Sequence, residues 1–125
     1  MSPRSTEFME QAHERVVAAR ELFTAGHLET AVSVAYYAML NAARAALSES
    51  DEHARTHAGT WNLFRQRYVV TDAFDQHLFT LAHKAQKARE ESDYEAVTPD
   101  PDEAKAIVES ADDFIAAVER MLDAD

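Results

Sequence analysis

The stretch that decides the fold is Ala31–Met39, which reads AVSVAYYAM and lies within a longer apolar segment, Leu28–Leu47. Alanines recur along this segment at alternating spacings of four and three residues, the period of one helical face. Because alanine side chains are small, the backbone of a neighbouring helix can approach this face closely. The segment therefore predicts a central helix, and its small-residue face consists of Ala31, Ala35, Ala38, Ala42 and Ala45.

Helical patterns also fill most of the chain on either side of this segment. Two glycines and three prolines in 125 residues leave few breaks, and no stretch alternates with the period of a strand. The chain is thus expected to form one all-α domain over residues 1–125, an up-and-down bundle of four long helices and one short helix. The expected helices are Ser5–Thr24 ended by Gly26, Leu28–Leu47, a short His57–Val69, a fourth capped by Thr71-Asp72, and a fifth started by Asp100-Pro101.

Charge is the most unusual feature of the composition. The chain carries 23 acids against 12 bases, a net charge of −11, and only three of its bases are lysines. This resembles proteins of a high-salt cytoplasm, where self-repulsion is screened, although an ordinary acidic protein fits as well. Such a negative field opposes the binding of nucleic acid, so an RNA-binding protein of this charge would need a local patch of basic residues. The candidates are Arg55, Arg65, Arg67, Lys84, Lys87 and Arg89. The alternative is that the basic residues lie on solvated helix faces and neutralise neighbouring acids.

Several classes of site and location are disfavoured by residue content. The chain has no cysteine, which removes disulfides, thiolate metal sites and cysteine nucleophiles. His53 and His57 stand four residues apart, but His53 falls in the acidic loop and no third ligand is indicated, so neither a metal nor a cofactor is expected.

No apolar run approaches the length of a membrane span, and the N-terminus lacks the pattern of a signal peptide. A cytoplasmic protein without membrane contact is expected.

The end of the expected fourth helix, Arg89–Tyr94, breaks a local rule. Its sequence REESDY places three acids at a helix C-terminus, where the helix dipole disfavours negative charge. Arg89 falls at the boundary of the apolar face, where a guanidinium can reach a cleft or an interface, and Asp93 lies one turn on. The alternative is an ordinary helical Arg–Asp pair.

Tyr36 and Tyr37 are adjacent and therefore point about 100° apart on the central helix. One of them can pack in the core while the other presents its hydroxyl at an edge. Whichever tyrosine is buried needs a hydrogen-bond partner for that hydroxyl.

These motifs together resemble the HEPN family of small prokaryotic helical proteins. The matching features are the Ala31–Met39 pattern, the turn Arg55–Gly59 that reads RTHAG, the Arg89-x-x-x-Asp93-Tyr94 signature, and a last helix that carries Phe114. The resemblance implies a homodimer, with the helix around Arg89 near its two-fold mate, and in many cases a minimal nucleotidyltransferase partner and a toxin's role.

Catalytic members of the family are metal-independent ribonucleases that use an arginine and a histidine separated by four to six residues. The resemblance places Arg89 in the arginine position, whereas Tyr94 stands where the histidine would be. It thus implies Arg89 and Tyr94 as catalytic candidates, oriented by Asp93, and Tyr36, Tyr37, Arg55 and His57 as residues that bind substrate. Tyr94 is alternatively a hydroxyl that a nucleotidyltransferase modifies, as in some relatives.

The expected function is that of a HEPN protein in a toxin–antitoxin-like module, which binds RNA or a nucleotide at a cleft near Arg89. One alternative is a metal-independent endoribonuclease that uses Arg89 with Tyr94 or with a histidine brought in by folding, such as His57. Another is a helical interaction domain without chemistry.

Overall fold

A computed structural model describes residues 1–124 as a helical bundle, and within that range no residue lies in a β-strand. The expected all-α fold of four long helices and one short one is confirmed. The helices are α1 (Pro3–Thr24), α2 (Leu28–Glu49), α3 (His57–Phe64), α4 (Gln76–Glu95) and α5 (Pro101–Asp123). Two side-chain pairs between α1 and α5, Arg20 with Asp112 and His13 with Glu119, show that these two helices run antiparallel.

Helix α2 is the centre of the bundle and contacts all four other helices. Its five stripe alanines, Ala31 to Ala45, are fully buried, as the spacing of small residues predicts. Because the methyl side chains of alanine allow neighbouring helices to approach closely, α2 can be packed against several helices at once. Two large side chains of α2, Tyr36 and Met39, are also fully buried.

The expected C-terminal end of α1 and the expected start of α5 are confirmed, whereas α1 begins at Pro3 rather than at Ser5. Gly26 lies two residues after Thr24, the last residue of α1, and has a φ of +88°, a left-handed conformation that favours glycine. At α5 the Asp100 carboxylate accepts hydrogen bonds from the backbone N–H groups of Asp102 at 2.9 Å and Glu103 at 3.0 Å. Pro101 occupies the first helical position, where a missing N–H costs nothing.

The start of α4 differs from the sequence-based expectation. Thr71-Asp72 does not cap this helix: Asp72 has a φ of +64° in a turn, and α4 begins after Asp75. The Asp75 carboxylate accepts from the N–H groups of His77 at 2.6 Å and Leu78 at 3.2 Å, and so outcompetes the earlier candidate. The buried face of α4 consists of Phe79, Ala82, Ala85 and Ala88.

The stretch expected as one short third helix is an α-helix to Phe64 followed by a π-helical turn, Arg65–Val69. A turn closed by the bond from the N–H of Phe74 to the carbonyl of Tyr68 then inserts Phe74 into the core. The ring of Phe74 lies 5.0 Å from that of Phe64 and 4.8 Å from that of Phe114. Aromatic packing therefore fixes the end of α3 against α5.

Trp61 connects this aromatic core to the polar side of the bundle. Its indole lies 5.9 Å from the ring of Phe114, 6.2 Å from that of Phe64 and 6.2 Å from that of Phe79, and is 3% exposed. It is thereby held between α3, α4 and α5.

No helix in residues 1–124 has the length and apolar character needed to cross a membrane.

Candidate functional site

Tyr36 and Tyr37 differ in burial, as their adjacent positions on α2 predict. Tyr36 is fully buried, whereas Tyr37 is half-buried at the edge of the bundle. Their ring centroids are 5.4 Å apart with an interplanar angle of 67°, an edge-to-face arrangement that favours aromatic pairs. Together the two rings form a wall on one side of α2.

The buried Tyr36 hydroxyl has the hydrogen-bond partners that it requires. It lies 3.1 Å from Trp61 Nε1 and 3.1 Å from His57 Nδ1. Because an indole N–H can only donate, the hydroxyl oxygen accepts from Trp61. The hydroxyl hydrogen then has His57 Nδ1 as its acceptor, which places the imidazole proton on Nε2.

The charge states of these two groups follow from their surroundings. Burial, the largest effect, raises the pKa of Tyr36, so its hydroxyl stays protonated at neutral pH. Burial likewise lowers the pKa of His57, and the positive charges of Arg44 and Arg89 lower it further. His57 is therefore neutral at pH 7, in agreement with the role of Nδ1 as an acceptor.

His57 is held in place by the start of α3. Thr56 caps this helix, and its side-chain oxygen accepts from the N–H of Gly59 at 2.9 Å. A Cβ at residue 59 would lie 2.9 Å from that same oxygen, so a larger residue there would disturb the cap. The cap therefore explains why threonine and glycine stand three residues apart in this turn. It also places His57 at the first position of α3, where its ring contacts Tyr36.

Arg89 of α4 lies against the tyrosine wall. Its guanidinium carbon is 5.3 Å from the ring centroid of Tyr36 and 5.4 Å from that of Tyr37, within cation–π range. One terminal nitrogen donates to the Asp93 carboxylate at 3.1 Å. The Arg89 side chain is only 17% exposed, and its Nε is buried with no hydrogen-bond partner in residues 1–124.

An unpaired buried N–H of a charged group is costly, so this Nε marks bonding capacity that the described residues leave unused. We call the group of Tyr36, Tyr37, His57, Trp61 and Arg89 the arginine–aromatic site.

The surroundings of the arginine–aromatic site are more positive than the chain as a whole. The Arg15 guanidinium lies 5.8 Å from the ring centroid of Tyr37, and Arg44 is close enough to influence His57. Neither arginine forms an ion pair within residues 1–124. Asp93 and Glu90 oppose them, but Asp93 is already paired with Arg89. The site therefore presents a local excess of positive charge in a protein of net charge −11.

The structure brings together most of the residues that the sequence singles out. Arg89, Asp93, Tyr36, Tyr37 and His57 form one cluster from α2, α3 and α4.

Two other candidates lie apart from this cluster. Tyr94 is 85% exposed and forms no hydrogen bond within residues 1–124. Arg55 is exposed on the turn before α3, with no ion pair in the same range.

The basic stretch between residues 55 and 89 does not form one patch. Arg67 pairs with Glu52, Lys87 with Glu91 at 3.9 Å, and Arg89 with Asp93. Much of its charge is thus neutralised locally, and the arginines that surround the site come instead from α1 and α2.

Sequence reasoning did not identify one residue of the arginine–aromatic site, Trp61, and two arginines beside it, Arg15 and Arg44. Arg44 follows Tyr37 by seven residues, two helical turns, so both lie on the same side of α2, and this spacing was a usable signal. Trp61 reads as an ordinary core aromatic because nothing local shows that its N–H meets Tyr36. Arg15 reaches Tyr37 from another helix, which no local pattern indicates.

Comparison with known proteins gives the family of this chain. The family model described as "HEPN domain" matches residues 5–121, a range that extends from the first turn of α1 to the last turn of α5. This chain belongs to the HEPN family.

Similar HEPN relatives come from both an archaeon and a bacterium. Methanocaldococcus jannaschii has "Putative toxin MJ0605", 29% identical over 91% of this chain and 85% of the relative, and "Putative toxin MJ0142", 27% identical over 70% of this chain. The second match spans 60% of that relative's length. Gloeobacter violaceus has "UPF0332 protein glr0978", 30% identical over 75% of each protein.

Proposed function

We propose that this HEPN protein is the toxin-like member of a two-protein module and that its arginine–aromatic site grips a phosphate group of RNA or of a nucleotide. The observation that carries the proposal is the Arg89 guanidinium, held between two tyrosine rings with its Nε buried and unpaired. The likeness to archaeal relatives named as toxins supports the first half of the proposal.

The geometry favours an anion over a neutral ligand. A guanidinium is a fork of N–H donors that matches the oxygens of a phosphate, and stacking on aromatic faces holds the fork in one orientation. Neutral His57 adds an Nε2–H donor on the outer side of its ring. Arg15 and Arg44 contribute further positive potential without carboxylate partners in residues 1–124.

The first experiment measures binding of a fluorescent hexauridylate to the protein and to Arg89→Met. Methionine keeps much of the apolar stem and removes the charge. Since a hydrogen bond to a charged group contributes about 1.5–3 kcal/mol, we expect an affinity loss of about 10- to 100-fold. Arg120→Met is the matched control, because Arg120 is exposed in the last turn of α5. Equal binding by both variants and the wild type would reject the proposal.

We propose a minimal nucleotidyltransferase as the second protein of the module. The 85% exposure of Tyr94 suits a hydroxyl that such an enzyme reaches, with the nucleotidyl group passing from a nucleoside triphosphate to the phenolic oxygen and pyrophosphate leaving. Co-expression with a minimal nucleotidyltransferase, followed by mass spectrometry of the protein and of Tyr94→Phe, tests this. A nucleotidyl group found on another residue would contradict it.

We also propose that the functional form is a homodimer in which α4, near Arg89, approaches its two-fold mate. Light scattering at high salt is the appropriate test, because a charge of −11 on each subunit drives the subunits apart at low salt. A mass of 14.0 kDa at micromolar concentration would contradict the dimer.

Metal-independent RNA cleavage is the second candidate function, favoured by the position of His57 beside Arg89. Base catalysis requires the other tautomer of His57, in which the Tyr36 hydroxyl accepts from Nδ1–H instead of donating to Nδ1, and Nε2 is free. In that tautomer Nε2 would take the proton of a ribose 2′-hydroxyl while the 2′-oxygen attacks phosphorus. The bond to the 5′-oxygen breaks, this oxygen leaves with a proton from water, and Arg89 stabilises the charge on the phosphate.

Cleavage of a labelled RNA with EDTA present tests this candidate. We expect His57→Ala and Arg89→Met each to abolish cleavage, and Tyr94→Phe to retain it. Binding without any cleavage by the wild type would leave a HEPN domain that acts by interaction alone.

A further inference from the structure

A concave surface lies at the C-terminal end of α2, beyond Arg44. It is a cleft of about 220 Å³ between the first turns of α1, the last turns of α2 and the loop that follows. It continues into an outer hollow of about 330 Å³, with which it shares Arg4, Ser48, Glu52 and His53. We call the two together the Arg4 cleft; the other residues that line its inner part are Phe8, Arg44, Leu47 and Ala54.

The inner part of the Arg4 cleft is positively charged. Arg4 and Arg44 both line it, and neither forms an ion pair within residues 1–124. The Arg4 guanidinium is 5.6 Å from the ring centroid of Phe8, which holds it toward the cleft wall. The acid that lines this part, Glu52, is neutralised by its ion pair with Arg67.

The other charged or titratable groups of the Arg4 cleft are Asp51 and His53. Asp51 lines the outer hollow, and His53 lines both parts. Negative charge thus marks the mouth of the cleft, and positive charge its interior.

Arg44 connects the Arg4 cleft with the arginine–aromatic site. It lines the cleft, and its charge also lowers the pKa of His57. On α2, Arg44 and Tyr37 are separated by about 10 Å along the helix axis, on the same side. One phosphate cannot bridge that distance, whereas a nucleotide chain can.

We propose that the Arg4 cleft is a second phosphate subsite, which holds another phosphate of the same single-stranded RNA whose first phosphate lies against Arg89. The inference rests on the proposed function, since it extends that site. The inner cleft is smaller than the 300–1,000 Å³ typical of sites for drug-sized ligands, so it suits a phosphate with its ribose rather than a whole nucleotide. The substrate class is therefore an oligonucleotide rather than a mononucleotide.

The experiment compares hexauridylate with uridine monophosphate on Arg4→Ala, Arg44→Gln and the control Arg120→Ala. We expect Arg4→Ala and Arg44→Gln each to lower the affinity for hexauridylate by about 3- to 10-fold. Arg4→Ala should leave the affinity for the monophosphate within twofold of the wild type, whereas Arg44→Gln should lower it as well, because Arg44 also adds positive potential at the arginine–aromatic site. Each lost phosphate contact should also reduce the slope of log K against log salt by about 0.7. Arg120→Ala should change neither affinity.

The outcomes separate this inference from the proposed function. If Arg4→Ala and Arg44→Gln bind hexauridylate as the wild type does while Arg89→Met does not, the second subsite is wrong and the phosphate grip stands. If Arg4→Ala weakens the binding of the two ligands equally, the cleft is not a separate subsite. If Arg89→Met binds both ligands like the wild type, the proposed function itself fails. Arg4 is exposed, so Arg4→Ala remains informative even if Arg44→Gln disturbs folding.

Discussion

Arg89 and Tyr94 are five residues apart on the same helix, yet they lie in opposite surroundings. Arg89 is 17% exposed and packed on two tyrosines, whereas Tyr94 is 85% exposed at the end of α4. Five helical residues rotate by about 500°, which puts the two side chains about 140° apart. Residues that appear as one signature in the sequence therefore divide between a buried binding site and an open surface.

The first way to break this comparison is to remove the support behind Arg89. Trp61→Ala deletes an indole that packs on three phenylalanines and bonds Tyr36, so we expect the free energy of unfolding to fall by about 3–5 kcal/mol. Urea denaturation measures this loss. Trp61→Phe keeps most of the apolar contact and should cost clearly less; an equal cost for both would show that packing is not what the indole contributes.

The second prediction separates the two adjacent tyrosines by their hydroxyls. Tyr36→Phe leaves the Trp61 N–H buried without an acceptor and should cost about 1–3 kcal/mol in unfolding free energy. It should also raise the pKa of His57, because Nδ1 loses its donor. Calorimetry and NMR titration measure the two effects. Tyr37→Phe is the control, since its hydroxyl forms no hydrogen bond in residues 1–124, and a comparable loss there would contradict the assignment.

The third prediction concerns pH and His57. Its pKa lies below the usual 6.5 in the folded state, so the unfolded chain binds more protons as the pH falls below 6.5. The contribution of His57 to stability is thus complete above that pH and is lost as the pH falls through the folded pKa. His57→Gln should flatten the stability curve in this window, as thermal melts at several pH values can show. His27→Gln, which removes an exposed imidazole outside the arginine–aromatic site, is the matched control.

The smallest effect is expected at the exposed end of α4. Tyr94→Ala should change the unfolding free energy by no more than about 0.5 kcal/mol, as is usual for surface substitutions. It should likewise leave hexauridylate affinity unchanged. A loss of stability above about 1 kcal/mol would mean that Tyr94 packs against a surface outside the described contacts, such as a second subunit.

The comparison also shows how far the sequence predicts this molecule. Period and capping signals are local, so the fold class, the burial of the α2 alanines and the Asp100 start of α5 are all predictable. The start of α4 is not, because Asp72 and Asp75 are both plausible caps and the choice depends on how Phe74 fits the core. The meeting of His57 with Tyr36 depends on the path of the chain between α2 and α3, and the family resemblance supplied that residue where helix periodicity did not.

The contact between Trp61 and Phe114 has a consequence for the order of events during translation. Every residue of the arginine–aromatic site leaves the ribosome before α5, but the indole that fixes Tyr36 packs on a ring that α5 supplies. Since a domain folds as a unit, the nascent chain carries its recognition residues before it can hold them in register. Synthesis therefore includes an interval in which all residues of the arginine–aromatic site have been made but are not yet held together.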